Sequence, residues 1–246
     1  MSAQHTTKQY GLIGYPLSHS FSPSYFAKKF ANEGINGCTY DLYPLHDISQ
    51  FPALVEKGLS GINVTIPYKE AVIPYLDWLS PACTEIKAVN TIKMVDGELH
   101  GYNTDVIGFR ETLLQLLQGD TPSKALILGS GGASKAVQYV LKQMGIRYTI
   151  VSRQPQYMNY RELSDRLIAG HRLIVNTTPL GMAPRKDTYP DLPYEHITAK
   201  HFLYDLVYNP EKTIFLERGE EKGAAILNGY GMLVGQAEAS WNIWNT

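Results

Sequence analysis

The sequence predicts an α/β protein built as two domains. Short apolar strands alternate with amphipathic helical stretches, the pattern of a largely parallel sheet covered by helices. The alternation pauses at a turn cluster, Gly119-Asp120-Thr121-Pro122, and then starts again. A length of 246 residues accommodates two modest domains.

The elements follow in order. Residues 10–15 form the opening strand, and a helix begins near Ser22, with Ser22 as N-cap and Pro23 at the first helical position. A strand over 40–43, a helix over 48–57 and a strand over 61–66 come next, the last stopped by Pro67. Strands 89–95 and 98–102 flank Asp96-Gly97, a hairpin turn signal. Residues 106–117 carry apolar side chains at helical spacing. Past the turn cluster come a strand over 124–128, a helix over 134–144 and a strand over 148–152. In that helix Val137, Val140, Leu141 and Met144 share one face. Strands over 173–176, 202–207 and 225–227 follow, and the turn Gly229-Tyr230-Gly231 precedes a helix over 232–244. The domains are expected at 1–105, joined by a returning helix at 230–246, and at 106–229.

Composition excludes several classes. Hydrophobic residues make up 44% and charged residues 18%, ordinary for a folded chain. A net charge of −1 gives no electrostatic reason to expect nucleic acid or an anionic membrane as partner. No apolar run reaches membrane-spanning length, and residues 1–9 lack the apolar core of a signal peptide. The two cysteines, Cys38 and Cys83, stand in no metal-binding spacing, and the seven histidines are scattered, so no metal site is expected. His19 reads as structural. A cytoplasmic protein is the expectation.

The sharpest local signal is Gly129-Ser130-Gly131-Gly132-Ala133-Ser134, between a buried-strand pattern and a helix. Glycines there let the backbone turn tightly and approach a pyrophosphate, while the helix N-terminus offers N–H groups to its charge. Ser134 stands where the dinucleotide fingerprint has its third glycine. An NAD site places an acidic residue about 20 residues further on. Here the next strand ends in Ser152-Arg153, and an arginine suits a 2′-phosphate, which favours NADP. The second half therefore reads as a Rossmann-like NADP-binding domain.

The first half carries other polar clusters. His19-Ser20-Phe21-Ser22-Pro23 sets two hydroxyls beside a helix N-terminus, a seat for a carboxylate, although capping alone accounts for Ser22. In Asn63-Val64-Thr65-Ile66-Pro67-Tyr68-Lys69 a proline delivers Lys69 to a loop at a strand's C-terminal end, where α/β sheets hold ligands. Ala88-Val89-Asn90-Thr91 and Gly101-Tyr102-Asn103-Thr104-Asp105 add polar groups to segments otherwise built for burial. Asp105 also suits the first turn of the helix it begins.

In this order, these motifs resemble the shikimate dehydrogenase family. Asn176-Thr177-Thr178-Pro179-Leu180-Gly181-Met182, Gly231-Met232-Leu233-Val234-Gly235-Gln236 and the opening Gly14-Tyr15-Pro16 extend the resemblance nearly end to end. It implies a two-domain, NADP-dependent enzyme with a deep cleft that reduces 3-dehydroshikimate to shikimate, as a monomer or homodimer. It further implies Lys69 and Asp105 as the catalytic pair. Ser20 and Ser22 would hold the substrate carboxylate, and Thr65, Asn90, Asp105 and Gln236 its ring hydroxyls, with Tyr208 a further substrate-side residue. Gly129, Gly131, Gly132, Ala133, Ser152, Arg153, Asn176 and Thr177 would border the cofactor, and Gly229 and Met232 the nicotinamide. Ser152 stands where the family commonly has asparagine, and Gln154-Pro155-Gln156-Tyr157 holds no second arginine.

Three alternatives differ from this reading at named residues. An NAD-dependent quinate/shikimate dehydrogenase would differ chiefly at the end of the second nucleotide-domain strand, where Arg153 argues against it. A non-catalytic NADP-binding regulatory protein of the same fold would be marked by loss of Lys69 or Asp105, and both are present. A Rossmann dehydrogenase acting on a folate would not call for the Ser20/Ser22 seat.

Overall fold

The computed structural model describes residues 7–18 and 20–246, so the opening six residues and the expectation for His19 lie outside the described residues. The chain divides into two compact units, Met1–Thr104 with Ala237–Thr246, and Asp105–Gln236. The turn at 119–122 lies inside the second unit.

The first unit contains β1 (Lys8–Gly14), α1 (Ser22–Asn32), β2 (Cys38–Pro44), α2 (Phe51–Val55), β3 (Gly61–Val64), β4 (Trp78–Leu79), α3 (Pro81–Ile86), β5 (Thr91–Val95) and β6 (Glu98–Tyr102). Among the described residues its sheet has the order β2-β1-β3-β5-β6-β4. β1 pairs in parallel with β2 and β3, and β5 runs antiparallel to β3 and β6. The hairpin at Asp96-Gly97 forms as expected, both residues adopting positive φ.

Three local readings change. Ser22 is the first helical residue of α1 rather than its cap; the cap position is Phe21, without a side-chain bond. The Ser22 hydroxyl is instead engaged by Tyr40. The helix expected at 48–57 is a 3-10 turn, Ile48–Gln50, running into the short α2, with Asp47 and Gln50 forming a capping box. β4 and α3 escaped the sequence reading because both are too short for periodicity to register.

The second unit begins with α4 (Asp105–Leu117), β7 (Lys124–Leu128), α5 (Gly132–Gln143), β8 (Arg147–Val151), α6 (Asp165–Gly170) and β9 (Leu173–Asn176). β10 (Phe202–Asp205), α7 (Ile214–Glu221), β11 (Ala225–Leu227) and the start of α8 (Tyr230–Asn245) follow. Its strands are all parallel, in the order β11-β10-β9-β7-β8. The chain passes from β7 to β8 on one side and returns to β9 on the other, so the order switches between β7 and β9. Open parallel sheets bind ligands at such switch points, outside the strands' C-terminal ends. Val137, Val140 and Leu141 of α5 are buried in the core with Phe109 and Leu113 of α4, as the helical spacing predicts.

From Ala237 onward α8 belongs to the first unit. Trp244 stacks on Tyr10 with ring centroids 4.9 Å apart and donates its indole N–H to the Ile92 carbonyl at 2.9 Å. Lys29, buried on α1, pairs with Glu238 at 2.8 Å and Glu33 at 2.7 Å. Burial alone would lower the lysine's pKa, but these carboxylates outweigh it and raise it. None of the described helices is long and apolar enough to cross a membrane.

Candidate active site

In the second unit, the expected cofactor residues at 129–133, 152–153, 176–177 and 229 lie at the C-terminal ends of the parallel strands. The loops there are stitched laterally by backbone bonds. Gly129 N–H donates to the Val151 carbonyl and Thr177 N–H to that of Leu128, both at 2.8 Å. Leu206 N–H donates to Asn176 at 2.9 Å, and Gly229 N–H to Val207 at 3.1 Å. The ends of β8, β7, β9, β10 and β11 thus form one continuous ledge.

Gly129 turns at φ +106°, a conformation that favours glycine, and a Cβ there would lie 2.8 Å from the Thr177 hydroxyl oxygen. Gly131 and Gly132 are different. Neither has positive φ, and a Cβ on either would meet nothing within 4 Å. The chain's own packing does not require glycine at these positions, which leaves the backbone open to close approach. Gly131 caps α5 without any side-chain bond, and Gly132 and Ala133 open the helix at the exposed surface. Uncapped N–H groups at a helix N-terminus attract phosphate. The residues present therefore fit a dinucleotide.

Ser134 is buried and accepts a hydrogen bond from the Gln138 amide at 2.9 Å, filling the place of the fingerprint's third glycine with a satisfied hydroxyl. Ser152 is also buried, with its hydroxyl 2.9 Å from that of Ser130, so it ties the β8 end to the glycine loop. Arg153 is exposed at the same strand end. Gly229 leaves no room for a side chain, since a Cβ would fall 2.1 Å from the Leu206 carbonyl oxygen. Met232 packs on the core below, and Tyr208 is exposed.

Asn176 has no exposed surface and its amide is fully engaged. Its Oδ1 accepts from Thr178 N–H at 3.0 Å and Thr178 Oγ1 at 2.7 Å, while Nδ2 donates to Asp205 at 2.9 Å. Asp205, which the sequence reading passed over, closes β10 with no exposed surface. A carboxylate at the end of an apolar strand was the available signal, because a buried charge demands partners.

In the first unit, the expected substrate residues collect at one end of the mixed sheet. Thr65 N–H donates to the Ile13 carbonyl at 2.9 Å, Val64 N–H to that of Asn90 at 2.9 Å and Val89 N–H to that of Lys69 at 2.7 Å. Lys69 is half-buried in a run of turns, and Tyr68 anchors that run by donating its hydroxyl to the Leu45 carbonyl at 2.7 Å. Ser20 is half-buried just before α1.

Behind these residues runs a buried polar network. Tyr40 engages Ser22 and donates to Asn63 Oδ1 at 2.8 Å. Asn63 Nδ2 reaches the Asn90 carbonyl and Thr91 Oγ1 at 3.1 Å and Ser240 Oγ at 2.9 Å. Asn90 Oδ1 accepts from Thr104 N–H at 2.7 Å and from Thr104 Oγ1 at 3.1 Å. That pinning fixes the orientation of the Asn90 amide. Tyr40 and Ser240 are contributors that no sequence motif singled out for the site, and Thr104 belongs to the motif at 101–105 without a role assigned to it there.

The unit boundary falls directly before Asp105 and directly after Gln236. Lys69 therefore belongs to the first unit, and Asp105, at the start of α4, to the second. Gln236 donates its amide to the Leu233 carbonyl at 2.9 Å.

The family model described as shikimate dehydrogenase substrate binding domain matches residues 12–92. The chain is 38% identical over 262 residues to shikimate dehydrogenase (NADP(+)) of Carboxydothermus hydrogenoformans, covering 97% of this chain and 91% of that protein. Shikimate 5-dehydrogenase of Thermus thermophilus, solved with NADP(H) and shikimate, superposes with a TM-score of 0.82 at 32% identity, over 96% of this chain and 93% of that one. Quinate dehydrogenase of Corynebacterium glutamicum, solved with NAD, superposes at 0.87 with 26% identity, over 97% and 93%. With identity of this level sustained over nearly its whole length, the chain belongs to the shikimate dehydrogenase family.

Proposed function

We propose that this protein catalyses the reversible, NADP-dependent reduction of 3-dehydroshikimate to shikimate. The observation that carries the reading is the near full-length match to NADP-dependent shikimate dehydrogenases, in a chain that retains Lys69 and Asp105. The first domain, 1–105 with the returning 230–246 helix, would hold substrate, and 106–229 the cofactor. We place the enzyme in the cytoplasm, as a monomer or homodimer.

When bound, the nicotinamide supplies the hydride. The chain's own residues have three tasks. Ser20, Ser22 and the α1 N-terminus take the substrate carboxylate. Ser22 joins from within the buried network, because Tyr40 already engages its hydroxyl. Asn90 donates its pinned Nδ2 to a ring hydroxyl, beside Thr65 and Gln236, with Tyr208 on the substrate side. Lys69 protonates the ketone oxygen as negative charge develops there, and Asp105 orients the ammonium and accepts from a ring hydroxyl. On the cofactor side, the 129–133 loop receives the pyrophosphate, Arg153 the 2′-phosphate, and Gly229 and Met232 border the nicotinamide.

The test is nicotinamide absorbance with purified protein in four mixtures, shikimate or quinate with NADP⁺ or NAD⁺. Rapid reduction with shikimate and NADP⁺ alone is the expected result. Activity with quinate and NAD⁺ instead would support the quinate/shikimate alternative, and silence of folded protein in all four would overturn the enzymatic reading.

A further inference from the structure

The proposed chemistry makes no use of Asp205, yet this carboxylate sits at a crossing of three segments. Its Oδ1 accepts from Asn176 Nδ2 at 2.9 Å, at the end of β9, and from Val207 N–H at 3.0 Å, in the loop that carries Tyr208. Its Oδ2 accepts from Thr213 Oγ1 at 2.5 Å, and Thr213 is the residue that caps α7. Three donors thus converge on one fully buried side chain.

The constraint passes outward through Asn176. Its Oδ1 gathers the N–H and hydroxyl of Thr178, and Thr177 donates both N–H and hydroxyl to the Leu128 carbonyl at 2.8 Å. These two threonines lie under the first turn of the glycine loop. A Cβ at Gly129 would be 2.8 Å from Thr177 Oγ1 and 2.9 Å from Thr178 Cγ2. The position of the loop is therefore set by the threonine ledge, and the ledge by a bond chain that ends at Asp205.

We infer that Asp205 is a positioning residue for the cofactor loop, acting through Asn176 and Thr178 to hold the ledge beneath Gly129. The inference rests on the proposed NADP site. It assigns to Asn176 a supporting place rather than direct contact, since both ends of its amide are occupied within the chain.

The experiment compares wild type with D205A, D205N, N176A and D205A/N176A, using steady-state kinetics, calorimetric titration of NADP⁺ and thermal melts. Asparagine at 205 keeps the oxygen that accepts from Asn176 and Val207, and its Nδ2 can donate to Thr213. D205A should raise the NADP⁺ KM by about tenfold or more, as expected when a buried donor loses its acceptor, with the shikimate KM within about threefold. D205N should return the NADP⁺ KM to within about threefold of wild type, and the double variant should be no worse than the more severe single, because the two residues act in series. A folded D205A with wild-type NADP⁺ KM, a D205N as impaired as D205A, or additive losses would overturn the inference. If D205A does not fold, N176A breaks the same chain from the other side, and an unchanged NADP⁺ KM in that variant overturns it. Wild-type protein that takes up no NADP⁺ would remove the nucleotide reading and this inference together. Uptake by wild type with equal uptake by D205A would remove this inference alone.

Discussion

Asn90 and Asn176 are alike in sequence and opposite in use. Each is a buried asparagine beside a threonine, at the end of a sheet where polar side chains converge. Asn90 has its oxygen held by Thr104, and in the proposed reading its amide donor serves the substrate. Asn176 has its oxygen taken by Thr178 and its donor by Asp205. In the proposed reading the first binds and the second braces. The contrast follows from what stands across the sheet edge. The first unit supplies only donors to its asparagine, whereas the second sets a carboxylate opposite.

The largest effect expected on the binding side belongs to Lys69. Lys69→Ala should lower turnover by on the order of 10² to 10⁴ if the lysine is the proton donor, read from kcat with shikimate and NADP⁺. An unchanged kcat would remove it from that role. Asn90→Ala comes next, with kcat/KM for shikimate down by about ten- to hundredfold and the NADP⁺ KM little changed. Should the loss fall equally on both substrates, Asn90 would prove to be a brace like Asn176 and the comparison would break.

The bracing side has a pH signature. Burial lifts the Asp205 carboxyl from an ordinary 3.8 to about 6, against the pull of its three donors. The folded state then holds this proton more tightly than the unfolded state. Its contribution to stability is complete below about pH 4 and is lost as pH rises through about 6, by up to roughly 3 kcal/mol in total. Denaturant melts at intervals between pH 4 and 8 should show D205N lacking this decline. Parallel curves for the two proteins would count against it. The smallest effect concerns Arg153, exposed at the cofactor edge. Arg153→Ala should raise the NADP⁺ KM by roughly three- to tenfold and leave NAD⁺ use almost unchanged. Equal losses with both cofactors would sink the phosphate assignment.

Much of this molecule was legible before folding was considered. Strand and helix alternation follows from hydrophobic periodicity, and the glycine loop announces itself because tight backbone turns and close ligand approach both require glycine. The hairpin at Asp96-Gly97 needed only turn chemistry. What escaped was short or non-local. α3, α6 and α7 are too brief or too polar for a clear period. The N-cap of α1 falls one residue earlier than expected, at Phe21, and Ser22 engages Tyr40 of β2 instead. Asp205 was invisible as a hub because two of its three partners lie 29 and 8 residues away along the chain.

By itself, then, the sequence determined the fold class, the glycine loop and the set of polar motifs that mark the family, since each is written in contiguous residues. Tertiary structure alone decided which of those polar groups remain available to a ligand. Hydrogen-bond capacity is shared out among neighbours brought together by strand register and loop packing, and Asn90-Thr91 and Asn176-Thr177 read alike until Thr104 and Asp205 stand beside them.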